Sequence, residues 1–86
     1  MIIVRQQTPN PNALKFVLPE KMFAQSMNFP GAEAATANAL AARLFELSDI
    51  YNVFMAQDFI TVNKLPHANW EPLAAQIEAV IQQYLR

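Results

Sequence analysis

Tyr51-Asn52-Val53-Phe54-Met55-Ala56-Gln57-Asp58-Phe59-Ile60-Thr61-Val62-Asn63-Lys64 is the stretch on which the fold turns. Val53-Phe54-Met55 and Phe59-Ile60-Thr61-Val62 are β-branched and aromatic strand material, and the polar pair Gln57-Asp58 between them is a turn signal. The stretch reads as a β-hairpin. On its N-terminal side, Ala32 to Leu47 is Ala-rich and helical in propensity. Asn38 is a suitable N-cap within that run, and the part from Ala39 onward carries Leu40, Leu44 and Leu47 on one stripe. Arg43 and Glu46 face away, and Ser48-Asp49 ends the helix. On the C-terminal side, Leu65 to Asn69 is a loop, and Asn69 caps a closing helix. Pro72 is tolerated in its first turn. Trp70, Leu73, Ile77, Val80 and Tyr84 recur at the helical period.

Further out, Ala13 to Leu18 alternates, with Leu14, Phe16 and Leu18 on one face and Lys15 and Val17 on the other. It pairs as an antiparallel strand with Ile2–Gln7. Gln25 to Phe29 is a candidate edge strand, and Pro30-Gly31 turns the chain. Between the first two strands lies Thr8-Pro9-Asn10-Pro11-Asn12. Each proline fixes φ, lacks an N–H and extends the residue before it, so this loop has a defined shape. The order ββ(β)αββα predicts an α+β fold: a mostly antiparallel sheet with two helices packed on one face, in a single domain over residues 1–86.

Composition narrows the chemistry. The chain has 86 residues, of which 53% are apolar and 15% charged, with a net charge of −1. That is a core-forming balance, and so little charge leaves some apolar surface exposed for a partner. The six cations, Arg5, Lys15, Lys21, Arg43, Lys64 and Arg86, are spread along the chain, which argues against a nucleic-acid partner. With no cysteine there is no disulfide, thiolate metal site or thiol nucleophile, and a reducing compartment, the cytoplasm, is expected. Met1–Asn10 lacks the apolar run of a signal peptide, and no run is long enough to span a membrane. One glycine excludes a Gly-rich phosphate loop, and no nucleophile–base pair is evident, so no enzyme chemistry is indicated.

Three segments carry a resemblance: Thr8 to Phe16, Leu40 to Glu46, and Val53-Phe54 through Asp58-Phe59-Ile60-Thr61-Val62. Together they resemble the N-terminal domain of NifU/Nfu-type iron–sulfur cluster assembly proteins, which reads TPNPNxLKF, SPLAxxLF, VxxVF and DFITVxK in that order. Trp70 and the closing helix also fit. The chain departs from the pattern at Asn38-Ala39, where family members often carry Ser-Pro, and at Asp49, where they often carry Gly. Full-length members continue into a Cys-x-x-Cys domain that holds the cluster, and no residue here can inherit that role. The resemblance implies an accessory interaction domain, working in trans with an Nfu-type carrier domain or an iron–sulfur client protein.

The candidate partner-binding residues are Thr8, Pro9, Asn10, Pro11 and Asn12 on the rigid loop, Phe45 as an apolar anchor if exposed, and Asp58 at the hairpin end. Glu46, Asp49 and Asp58 are the weak candidates for iron, through hard oxygen ligands, although their spacing does not demand a site. The one histidine, His67, reads as a solvated loop side chain, and Trp70 as core.

Overall fold

The computed structural model describes residues 1–85. Five strands form one antiparallel sheet: β1 (Val4–Gln7), β2 (Ala13–Val17), β3 (Phe23–Phe29), β4 (Ile50–Gln57) and β5 (Phe59–Lys64), in the spatial order β1-β2-β5-β4-β3. Two helices follow from the chain order, α1 (Ala39–Phe45) and α2 (Trp70–Leu85). This is the expected α+β arrangement. The two hairpins, β1–β2 and β4–β5, are joined by the β2–β5 ladder, which pairs Ala13 with Asn63 and Val17 with Phe59.

Alternation sorts the side chains. Leu14, Phe16, Leu18, Val53, Met55, Ile60 and Val62 share one face and form a single core with Leu40, Ala41 and Leu44 of α1 and Leu73, Ala74, Ile77 and Ile81 of α2. Both helices therefore lie on that face. The other face carries Lys15, Val17, Phe54, Phe59 and Thr61, all half-buried. There Lys15 Nζ sits 4.2 Å above the Phe59 ring, and Phe54 and Phe59 pack with centroids 6.0 Å apart.

The Ala-rich run does not form one helix. Ala32–Ala35 makes a 3-10 turn, and α1 begins only at Ala39. The break lies at Asn38, whose side-chain oxygen accepts the Ala41 N–H at 2.9 Å while its backbone stays extended. A side chain that caps the next helix cannot also lie inside the preceding one. In α2 the apolar stripe runs through Leu73, Ala74, Ile77 and Ile81, with Leu85 against the core, whereas Tyr84 faces solvent. Asn69 Oδ1 caps this helix by accepting the Glu71 N–H at 3.0 Å. The edge strand begins earlier than its periodicity suggests, at Phe23, because a register shift between Phe23 and Met27 interrupts the alternation.

Gln57, in the turn of the β4–β5 hairpin, has φ 49, in the left-handed region. A side chain there costs about 1–2 kcal/mol relative to ordinary backbone. Gln57 is exposed, and its carbonyl accepts the Met22 N–H at 2.8 Å. Gln57→Gly keeps that bond and relieves the strain, offset in part by the greater freedom of the unfolded glycine. Thermal unfolding should show a gain of about 0.5–1 kcal/mol, read as a Tm several degrees higher. An unchanged or lower Tm would mean that the turn stores no strain.

Candidate functional site

Because β2 runs antiparallel to β5, the Thr8–Asn12 loop lies at the end of the sheet where β5 finishes and β4 begins. Asp58, in the turn joining β4 to β5, lies at the other end. The eight residues of β4 span roughly 25 Å at the usual rise. The loop and Asp58 therefore do not form one contact surface. The Asp58 carbonyl is taken up by the Leu18 N–H at 2.6 Å, which ties the β2–β3 connection to the hairpin.

The same separation divides the carboxylates. Asp49 precedes β4 and Asp58 follows it, so Glu46, Asp49 and Asp58 do not converge as a hard-ligand patch. Among the described residues no three His, Cys, Asp or Glu side chains are grouped to hold a metal ion. Asp49 instead pairs with His67, Oδ1 to Nε2 at 2.9 Å, and the histidine side chain stays 70% exposed, solvated as its loop position implies. The Asp49 φ of 72 explains why glycine suits this position. Phe45 is not an exposed anchor. It is half-buried against the core. The large apolar side chains that are exposed are Met1, Ile2, Val4, Met22, Tyr51 and Tyr84.

The loop is held rigidly. Thr8 Oγ1 donates toward the carbonyls of Asn10 and Ala13 and accepts the Asn10 N–H at 3.2 Å. Asn10 Oδ1 accepts the Asn12 N–H at 2.9 Å, an Asx turn. The Trp70 indole N–H donates to the Pro11 carbonyl at 3.0 Å, which pins the loop to the start of α2. Trp70 is thus a clamp as well as a core residue. A Trp N–H beside a core generally needs such a partner.

Beneath the loop lies Lys64, only 7% exposed. Its ammonium donates to Asn12 Oδ1 at 3.0 Å and to the carbonyls of Pro66 at 3.4 Å and Leu65 at 3.5 Å, and it lies 5.8 Å from the Trp70 ring centroid. Two of the sequence segments singled out above meet here, since Asn12 lies within Thr8–Phe16 and Lys64 closes the stretch that begins at Tyr51. A side-chain chain extends from them: Asn10 Nδ2 to Asn63 Oδ1 at 3.5 Å, and Asn63 Nδ2 to Asn52 Oδ1 at 2.7 Å. Between Ile50 and Asn52 the β4–β5 register shifts by one residue, so Tyr51 bulges out and stands 60% exposed. The result is a cleft of about 220 Å³ lined by Asn10, Asn12, Tyr51, Asn63, Lys64, Leu65 and Pro66. Lys64, Tyr51, Asn52 and Asn63 are not among the candidate residues named from the sequence. Strand parity signals the first, because Lys64 shares the inward face with Ile60 and Val62. The Tyr51 bulge leaves no such signal.

Residues 3–86 match the family described as the scaffold protein Nfu/NifU N-terminal domain. The chain is 38% identical over 86 residues to the human NFU1 iron-sulfur cluster scaffold homolog, mitochondrial, covering 98% of this chain and 34% of that protein. It is 36% identical over 86 residues to NifU-like protein 5, mitochondrial, of Arabidopsis thaliana, covering 98% of this chain and 31% of that protein. It therefore spans about a third of the length of these relatives. Among solved structures, protein SAV1430 from Staphylococcus aureus superposes with a TM-score of 0.78 at 29% identity, covering 94% of this chain and 99% of that one. A NifU-like protein from Saccharomyces cerevisiae superposes with a TM-score of 0.84 at 23% identity, covering 98% and 77%, a likeness of fold. The chain belongs to the Nfu/NifU N-terminal domain family.

Proposed function

We propose that residues 1–86 act as one accessory interaction domain in iron–sulfur cluster assembly, without catalysis of their own. The domain would meet a cysteine-containing Nfu-type carrier domain, or the client that receives the cluster, and would contribute surface shape in place of metal bonds. Family membership supports the process. The contact role is supported by one observation above all: the Thr8–Asn12 loop is locked by its own Asx turn and by Trp70, so it offers a preformed edge at low entropic cost. The cluster is cargo in this reading. The chain has no thiolate to hold it, and any iron would be bound weakly through oxygen. The absence of cysteine fits a reducing compartment, which we take to be the cytoplasm. No helix among the described residues is long and apolar enough to cross a membrane.

The interaction is read by NMR. Isotope-labelled protein is titrated with a Cys-x-x-Cys carrier domain, with and without its cluster. Shifts are expected at Thr8–Asn12, Asn63–His67 and Trp70, and not at Asp58. Unchanged spectra at several hundred micromolar carrier would leave only a general protein-binding module unrelated to cluster handling.

A further inference from the structure

We infer that the Asn-lined cleft at the loop end is a receptor for a single carboxylate group, presented by an extended segment of a protein partner. Asn10 Oδ1 is committed to the Asn12 N–H, so the Asn10 amide N–H₂ turns to Asn63. Asn63 must then offer its oxygen to Asn10 and its N–H₂ to Asn52 Oδ1. Asn12 is oriented separately, because the Lys64 ammonium claims its oxygen. Each orientation is set by a group that cannot reverse its role: a backbone N–H in one case, an ammonium in the other. Acceptors are consumed along the network, and in the cleft lining the Asn12 N–H₂ group is left over as a donor beside the Lys64 charge.

Charge points the same way. Lys64 is buried, and all three of its acceptors are uncharged oxygens. No carboxylate lines the cleft. A buried cation without a counter-ion favours an anion from outside. One cation matches the single charge of a carboxylate, whereas phosphate recognition usually recruits several cations or a bidentate Arg. A cleft of about 220 Å³ suits one residue of a peptide, with Tyr51, Leu65 and Pro66 as the apolar wall. The inference deepens the contact role proposed above by specifying what the partner presents. Its test needs no carrier, so the two can fail separately.

The probe is N-acetyl-alanyl-alanine as the free acid, compared with its C-terminal amide, a peptide with an internal Glu and an amidated end, and inorganic phosphate. The readout is the side-chain amide signals of Asn10, Asn12 and Asn63, which line the cleft. The free acid or the Glu peptide should shift these signals saturably, and which of the two does so identifies a chain end or a side chain as the source. The neutral amide should bind roughly ten- to a hundredfold more weakly, the worth of a charge-assisted hydrogen bond. Asn12→Asp places an internal carboxylate against Lys64 at nearly unchanged volume. It should abolish binding while the protein stays folded. Equal shifts from acid and amide, no shifts from either acid, undiminished binding by Asn12→Asp, or phosphate binding as tightly as carboxylate would each overturn the assignment.

Discussion

Phe16→Ala is expected to cost about 3–5 kcal/mol of folding free energy, the usual result of deleting a buried aromatic ring. Phe16 has no exposed surface. On β2 it lies opposite Arg5 of β1 and Ile60 of β5, so its ring fills the core where the two hairpins join. A chain of 86 residues typically has about 4–13 kcal/mol in total. The variant should therefore unfold at a much lower urea concentration, or be partly unfolded in buffer. Gln25→Ala, an exposed change on the edge strand, should stay within about 0.5 kcal/mol and serves as the control. A Phe16→Ala loss below about 1 kcal/mol would mean that the β2–β5 junction repacks freely, against the close packing expected of a protein core.

The second large effect concerns Lys64. Replacing a buried cation by an apolar residue of similar length is often neutral, since the desolvation of the charge is relieved. Here the acceptors decide the outcome. Lys64→Met leaves Asn12 Oδ1 and the Leu65 and Pro66 carbonyls without their shared donor. Asn12 and Leu65 are half-buried and Pro66 is exposed, so the loss is that of hydrogen bonds to a charged group, worth about 1.5–3 kcal/mol. A net loss of about 2 kcal/mol is expected in urea unfolding. Backbone amide shifts should centre on Asn12–Ala13, Asn63–Leu65 and His67–Ala68. A neutral or stabilising Lys64→Met would show that water replaces the ammonium without penalty.

Local chemistry was the legible part of this fold. The Asn38 and Asn69 caps follow from side-chain oxygens placed ahead of apolar helical periods, and the β4–β5 hairpin follows from its alternation and polar turn. The Thr8–Asn12 loop was visible because two prolines leave the backbone few choices. The order β1-β2-β5-β4-β3 was not, since a period of two assigns faces and leaves open which strand lies beside which. That gap left open how far Asp58 lies from the loop, a distance set by the length of the β2–β5 ladder. The helix break at Asn38 was half visible: the cap could be read, but alanines on both sides carry the same propensity. Lys64 was accessible through parity, yet its burial depends on three oxygens supplied by Asn12 and the Leu65–Pro66 turn.

The chain contains one tryptophan, and its indole N–H is bonded to the loop that borders the cleft. Its ultraviolet emission is therefore a built-in gauge of this end of the molecule. Events there can be followed on the unlabelled, unmodified protein, with no background from a second indole.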